Sequence, residues 1–271
     1  MNDDDAIRQT TFRFEPPRPP KSNAALIALV TFALCTVVLV DVYSRMHRIE
    51  QTVAGTASLY EAPHNLDDFI AKIQRSTVTI DCKDWQGSGY VVDLDGPGPD
   101  ADPEDIKFDR MYPTEVITND HVIEECHDAP DEVKATANGE TFDAYLYSWD
   151  TKRDLALVAI RQKVPALPFG MDPKPGYWVM AIGTPMGIEG SVSFGNVINR
   201  DGNDVVSTAP LNDGNSGGPL VNSRGRVIGT NTWVAWSKEE GLQPWNVSVG
   251  NPKLCRELIT CDADDVTMLW H

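Results

Sequence analysis

Three short stretches carry residues able to do acyl-transfer chemistry. Thr118-Asn119-Asp120-His121-Val122-Ile123 delivers a histidine just beyond the apolar run Val116 to Thr118. Arg153-Asp154-Leu155-Ala156-Leu157-Val158 opens a strongly apolar segment with an aspartate. Asp213-Gly214-Asn215-Ser216-Gly217-Gly218-Pro219-Leu220 sets one serine among glycines. Each has a plainer reading taken singly: a structural histidine, a strand-start cap, a turn between strands. Together they supply what acyl transfer needs. A serine hydroxyl is a weak nucleophile at its free pKa. It requires a base that titrates near neutrality and a carboxylate that fixes the base's tautomer and stabilises the imidazolium. The glycines let the backbone turn sharply, expose the Ser216 hydroxyl and aim neighbouring N–H groups at one point.

These residues must be positioned by strands. From Thr77 the apolar pattern has period two. It recurs in Thr77 to Asp81, Gly89 to Val92, Glu115 to Thr118, Glu132 to Thr136, Leu155 to Ile160, Tyr177 to Ile182 and Ser191 to Ile198. It returns in Val205 to Thr208, Pro219 to Val221, Val227 to Val234 and Val247 to Val249. Eleven or twelve short segments separated by Gly, Pro, Asn and Asp predict an all-β sandwich or pair of barrels. Val164-Pro165-Ala166-Leu167-Pro168 is a natural connector near the midpoint.

The N-terminal quarter reads differently. Pro16-Pro17-Arg18-Pro19-Pro20 predicts extended polyproline. Ala24 to Val40 is seventeen residues without a charge, which predicts a single transmembrane helix over 24–42; a cleaved signal peptide or a buried core helix is the other reading. Four Lys/Arg precede the run, and Arg45 and Arg48 follow it. The positive-inside rule then places 1–23 in the cytoplasm and the remainder in the periplasm or outside the cell. Residues 43–75 form a stalk or linker with helical segments: Val42, Met46, Ile49 and Val53 make a short coiled-coil-like stripe, and Leu66, Phe69, Ile70 and Ile73 make an amphipathic turn expected to pack on the domain that follows.

Of the 271 residues, 23 are basic and 40 acidic, a formal net charge of −17. A phosphate backbone would repel such a surface, so nucleic acid is excluded as a partner. The acidity is concentrated: between Asp93 and Glu132 fourteen acids stand against Lys107 and Arg110. This patch is expected to favour cationic stretches of substrate in a salt-dependent way. Within it, Asp93 to Asp105 is read as a solvated acidic loop; its carboxylate spacing is partly that of a calcium loop, without a complete EF-hand pattern. No metal and no cofactor is expected. Beyond Cys35 in the apolar run, the cysteines number four: Cys82, Cys126, Cys255 and Cys261. Two bridges in an oxidising compartment, or free buried thiols, fit that count.

Several stretches resemble the trypsin-like serine proteases of chymotrypsin fold, the HtrA/Deg type in particular. They are Gly87-Ser88-Gly89-Tyr90-Val91-Val92, TNDHVI around His121, DLAL at Asp154, Ala181-Ile182-Gly183-Thr184-Pro185-Met186-Gly187 and, most specifically, GNSGGPLVNSRGRVIGTNT from Gly214 to Thr232. The resemblance runs from about Ser76 to Val249. It implies an all-β fold of two antiparallel six-stranded barrels, about 76–165 and 169–257, in a protease domain over 76–257 with a C-terminal tail at 258–271. It implies that His121 is general base and acid, that Asp154 orients it and that Ser216 is the nucleophile. The backbone N–H groups of Gly214 and Ser216 would form the oxyanion hole, with Asn215 holding the turn. The substrate pocket would be walled by Pro210, Leu211, Asn212 and Asp213, and by Gly229, Thr230, Asn231 and Thr232.

Departures from the family shape the remaining expectations. Pro210 stands where trypsin-type enzymes place an acid, so a Lys/Arg preference is not expected and a small or medium apolar P1 residue is. Asp213 replaces the usual proline before Gly-Asn-Ser. About twenty residues follow Val249, too few for the PDZ domain that HtrA-type proteins carry. Secreted relatives suggest a Cys82–Cys126 bridge, and Cys255 with Cys261 would close a small loop. Asn246-Val247-Ser248 matches a glycosylation sequon but falls in a strand and is read as structural. The functional expectation is a membrane-anchored serine endopeptidase acting on protein or peptide substrates, with a role in protein quality control and assembly as a homo-oligomer, a trimer, both open. An inactive protease-fold binding protein and an esterase using the same triad are the alternatives.

Overall fold

The computed structural model describes residues 23–94, 102–170, 173–235, 245–261 and 266–268. It divides into two units, Met1–Val53 and Ala54–His271. The polyproline stretch lies outside the described residues.

The first unit consists, among the described residues, of most of a helix, α1, Ala24–Ala57. It is continuous through the region where the sequence suggests a span followed by a stalk. Its apolar side chains, Leu29, Phe32, Val37 and Leu39 among them, are exposed. From Leu26 to Ala57 the helix is long and apolar enough to cross a membrane.

The second unit begins with the end of α1 and a short helix, α2, Leu66–Gln74. The strands of the first barrel follow: β1 Thr77–Cys82, β2 Trp85–Val92, β3 Thr114–Thr118, β4 Lys134–Ala137, β5 Glu140–Asp150 and β6 Leu155–Ile160. They close in the order β1-β2-β3-β6-β5-β4. Between β2 and β3 lies a helix, α3, Pro103–Met111, and between β3 and β4 a one-turn helix, α4, Asp120–Ile123, which runs into a 3-10 turn, Glu124–Cys126. The second barrel comprises β7 Trp178–Gly183, β8 Ser191–Asp201, β9 Asp204–Ser207, β10 Pro219–Asn222, β11 Val227–Ala235 and β12 Trp245–Gly250, closed in the order β10-β11-β12-β9-β8-β7. Every pairing within the barrels is antiparallel. A helix, α5 Asn251–Glu257, and a two-stranded ribbon, β13 Ile259–Cys261 with β14 Val266–Met268, end the chain.

Period-two patterning explains why these strands build barrels that pack on each other. Successive side chains leave a strand on opposite faces. In β6, Ala156, Val158 and Ile160 fill the interior of the first barrel, while Leu155 and Leu157 point the other way into the seam between the barrels. In β7, Val179 and Ala181 fill the second barrel, while Trp178, Met180 and Ile182 enter the same seam. Both faces are apolar because both are buried. Ile73 of α2 caps the seam, and Phe69 meets Trp178 edge-on at 5.8 Å, so the amphipathic turn packs on the domain as its spacing suggests.

The acidic insertion, read as a loop over Asp93 to Asp105, becomes helical at its end. From Pro103 onward it is helical, with the Asp102 carboxylate accepting from Glu104 N at 2.9 Å and Pro103 in the first turn. Phe108 and Tyr112, four apart, stack on each other and bring the helix onto Tyr145 and Tyr147 of β5. Residues 95–101 lie outside the described residues.

Candidate active site

Strand pairing brings the histidine and the aspartate together. β3 and β6 are neighbours, with Thr118 opposite Ala156. The chain leaves β3 through Asn119 and turns into α4, whose second residue is His121. It enters β6 directly after Asp154, which adopts the left-handed conformation at φ 55°. This conformation is uncommon for a residue with a side chain, and Asn119 supports it by donating from Nδ2 to the Asp154 carbonyl at 2.6 Å. Both Asp154 carboxylate oxygens lie 2.9 Å from His121 Nδ1, and Oδ1 also accepts from the His121 backbone N–H at 3.0 Å. The Thr232 hydroxyl donates to the other oxygen, Oδ2.

Those contacts fix the electrostatics. Burial works against the charged imidazole, but the hydrogen bond and charge of Asp154, with the carboxylates of Asp120 and Glu124, outweigh it and hold the His121 pKa above its ordinary value. Burial likewise works against the Asp154 carboxylate; hydrogen bonds from His121 and Thr232 and the charge of His121 outweigh it and hold its pKa low. Nδ1–H is therefore the proton facing Asp154, leaving Nε2 as the basic nitrogen. The His121 side chain is 41% exposed, open to a reactant.

Ser216 arrives from the second barrel. Gly217 N donates to the Asn231 carbonyl and Asn231 N to the Gly218 carbonyl, each at 2.8 Å, which pins the serine turn to β11. Gly217 sits at φ 83° with the Ser88 carbonyl in the space a side chain would need, and Gly218 is pressed against the Ile182 carbonyl. The turn is also stapled to the first barrel. Ser88 N donates to the Ser216 carbonyl at 2.7 Å, and Ser88 Oγ donates to the Gly214 carbonyl at 2.6 Å while accepting from Thr184 N at 2.9 Å. Asn215, Gly217 and Gly218 all spend their N–H groups on internal carbonyls. Among the described residues, those of Gly214 and Ser216 have no acceptor within the chain. The Ser216 hydroxyl donates to the Thr232 carbonyl at 3.1 Å rather than to His121.

The other sequence-predicted positions separate into two groups. Pro210, Asn212 and Asp213 are exposed on the approach to the serine turn, and Leu211 is held by donation from its N–H to Asn246 Oδ1 at 3.0 Å. Asn246 is buried and also donates to the Ser207 carbonyl. On the later strand, Gly229, Thr230 and Asn231 face the packed interior: Thr230 pairs with the Tyr90 hydroxyl at 3.0 Å, and Asn231 bridges the Pro219 carbonyl and the Ser248 hydroxyl. Of that wall Thr232 alone reaches the His-Asp-Ser cluster. The side chain of Asn215 lies against Gly183, where no Cβ would fit. Cys82 and Cys126 are joined, tying the end of β1 to the segment after His121. Cys255 is disulfide-bonded; the side chain of Cys261 lies outside those described. Cys35 is a free thiol. Among the described residues no group of three or more His, Cys, Asp or Glu is placed to hold a metal ion.

Sequence reasoning gave no role to Ser88 or Asn119 and placed Thr232 in the pocket wall. Ser88 binds residues 96 and 126 positions away, a relation without local signature. Asn119 stands beside the histidine in TNDHVI, but its burial and its bond to the Asp154 carbonyl are set by the fold.

The trypsin-like peptidase domain family matches residues 87–229. Serine protease HTRA1B of Danio rerio is 36% identical over 162 residues, which are 54% of this chain and 30% of that protein. The probable periplasmic serine endoprotease DegP-like of Chlamydia trachomatis is 34% identical over 161 residues, 55% of this chain and 28% of that protein. This chain thus spans about a third of the length of the curated relatives it matches. The crystal structure of the serine endoprotease from Yersinia pestis superposes with a TM-score of 0.56 at 25% identity, covering 73% of this chain and 70% of that one. Two closed barrels, a glycine-bounded serine turn between them and a family match over more than half of the residues converge: the chain belongs to the trypsin-like peptidase domain family, with HtrA and DegP proteases among its relatives.

Proposed function

We propose that this protein is a serine endopeptidase that hydrolyses peptide bonds through His121, Asp154 and Ser216. The observation that supports it most is the pair of backbone N–H groups, Gly214 and Ser216, which among the described residues have no acceptor, at the serine turn where the amides of Asn215, Gly217 and Gly218 are engaged. Unpaired donors flanking a nucleophile are what a developing oxyanion requires. In the proposed reaction the Ser216 side chain rotates from the Thr232 carbonyl towards His121. Nε2 takes the hydroxyl proton as Oγ attacks the scissile carbonyl, and the oxyanion receives the two N–H groups. The imidazolium, balanced by Asp154, gives its proton to the leaving amine. Water repeats the cycle and releases the acyl group.

The exposed apolar α1 supports attachment to a membrane, and the excess of Lys/Arg before it supports a cytoplasmic N-terminus with the barrels on the other side. Retention of the protein in membranes washed at alkaline pH, with the barrels open to added protease in intact cells or spheroplasts, tests this.

The catalytic reading is tested with a fluorophosphonate probe on the wild type and on Ser216→Ala. Labelling of the wild type alone is expected. No labelling, or equal labelling of both, sinks the reading. Digestion of casein and of a peptide library then separates peptidase from esterase and reports the P1 preference.

A further inference from the structure

A second carboxylate–imidazole pair lies next to the first. Asp120 directly precedes His121 in α4, and its carboxylate, 4% exposed, is 2.8 Å from Nε2 of His127. A carboxylate so deeply buried needs a partner, and His127, 23% exposed, supplies it. The His127 ring stacks on Trp149 of β5, centroids 4.3 Å apart and planes 17° from parallel. The residue before it, Cys126, is bonded to Cys82. The pair therefore closes the turn that carries His121, and both partners are fixed in place.

We propose that Asp120 and His127 act as positioning residues that set the pH at which His121 loses its proton. This rests on reading His121 as the general base. The reasoning is electrostatic. Asp120, its carboxylate buried, places a negative charge one residue from His121 on the same helical turn, and so favours the imidazolium of His121. His127, stacked on Trp149, holds that carboxylate in place beside the turn.

The other charges on elements packed against α4 are accounted for. Asp154 and Glu124 act on His121 directly. Asp81 of β1 accepts from Gln86. Glu125 accepts from the Trp85 indole through its carboxylate and from Lys83 through its carbonyl. On β5, Asp150 pairs with Arg153 and Asp143 with Lys134 and Arg161, while Glu140 is exposed. Asp128, Asp131 and Glu132 are exposed on the loop beyond His127.

The test is a nuclear magnetic resonance titration of the histidine rings, with His121 assigned by its absence in His121→Gln. It is run in a Ser216→Ala background, which prevents self-digestion and needs no activity. Asp120→Asn keeps the size and an acceptor for His127 while removing the charge. It is expected to lower the His121 midpoint by roughly half a pH unit or more. His127→Gln keeps a donor to Asp120 and leaves its charge, and is expected to leave the His121 midpoint at its wild-type value. An unchanged midpoint in Asp120→Asn overturns the proposal. So does an equal fall in both variants, which would mark a merely structural clasp. Cleavage by the Ser216-containing variants adds a second reading, in which the acid limb of kcat/KM moves with the ring midpoint. If the wild type neither takes the fluorophosphonate probe nor cleaves casein, the catalytic reading fails, and the ring titration still decides the pair.

Discussion

Glu115 offers a perturbation whose size can be worked from the structure. It sits half-buried at the edge of the first barrel, in a small cavity lined with Phe108, Asp109, Tyr112, Tyr147 and Leu157 under α3. Burial, opposed by a hydrogen bond from its own backbone and reinforced by the charges of Asp109 and Asp93, pushes its carboxyl from 4.5 to about 7. A rise of that size makes the ionised form about 3 kcal/mol worse in the folded protein than in the unfolded chain; solvent reaching the group reduces this to about 2 kcal/mol. The sign follows from proton binding. Between pH 4.5 and about 7 the folded state keeps a proton that the unfolded state releases, so stability falls as pH rises through that window and the loss is complete above it. Glu115→Gln removes the ionisation while keeping the shape. At pH 8 it should raise the melting temperature by about 4–8 °C, given about 2–4 °C per kcal/mol for a domain of this size. At pH 4 it should leave it nearly unchanged. Thermal unfolding followed by circular dichroism at both pH values measures this. A variant that shifts melting equally at pH 4 and pH 8, or that destabilises at pH 8, refutes the reasoning.

Three further outcomes are expected. Thr232→Val removes the hydroxyl that donates to the Asp154 carboxylate; kcat/KM should fall about tenfold, a hydrogen bond to a charged group being worth about 1.5 kcal/mol or more, and an unaltered kcat/KM would deny that contact a role. Gly214→Ala places a Cβ 2.5 Å from the Thr184 carbonyl at φ 94°, so kcat should drop by about 10²–10³ as one oxyanion donor is displaced, with circular dichroism unchanged; activity within twofold of wild type would contradict this. Reduction of the Cys82–Cys126 bridge, which spans 44 positions of sequence, should lower stability by about 4 kcal/mol on the chain-entropy account, read as a fall in melting temperature with dithiothreitol that is larger in the wild type than in Cys82→Ala/Cys126→Ala, which keeps the bridge at Cys255; an equal fall in both would contradict it.

The sequence by itself determined the elements and the chemistry available to them. Period-two runs such as Leu155 to Ile160 name strands, because an alternating pattern is satisfied by a pleat and by no helix. Glycines around Ser216 name a sharp turn, because only they reach φ of 83–94° without strain. The apolar run from Ala24 names a helix with no polar face. Other features were written locally but carried conflicting signals. Asp102-Pro103 is an ordinary helix start, yet the density of charge around it read as loop, since what holds α3 is its aromatic stripe meeting Tyr145 and Tyr147 some forty residues on. Only the tertiary structure decided which residues meet. The register of β3 on β6, with Thr118 opposite Ala156, places His121 against Asp154. The turn pinned to β11 sends Thr232, rather than Thr230, to the carboxylate. Ser88 binds across two barrels to hold the Gly214 loop. Hydrogen bonds of this kind join residues that are distant in sequence, and their partners are chosen by barrel closure and by the burial of both strand faces, for which a linear pattern has no coordinate.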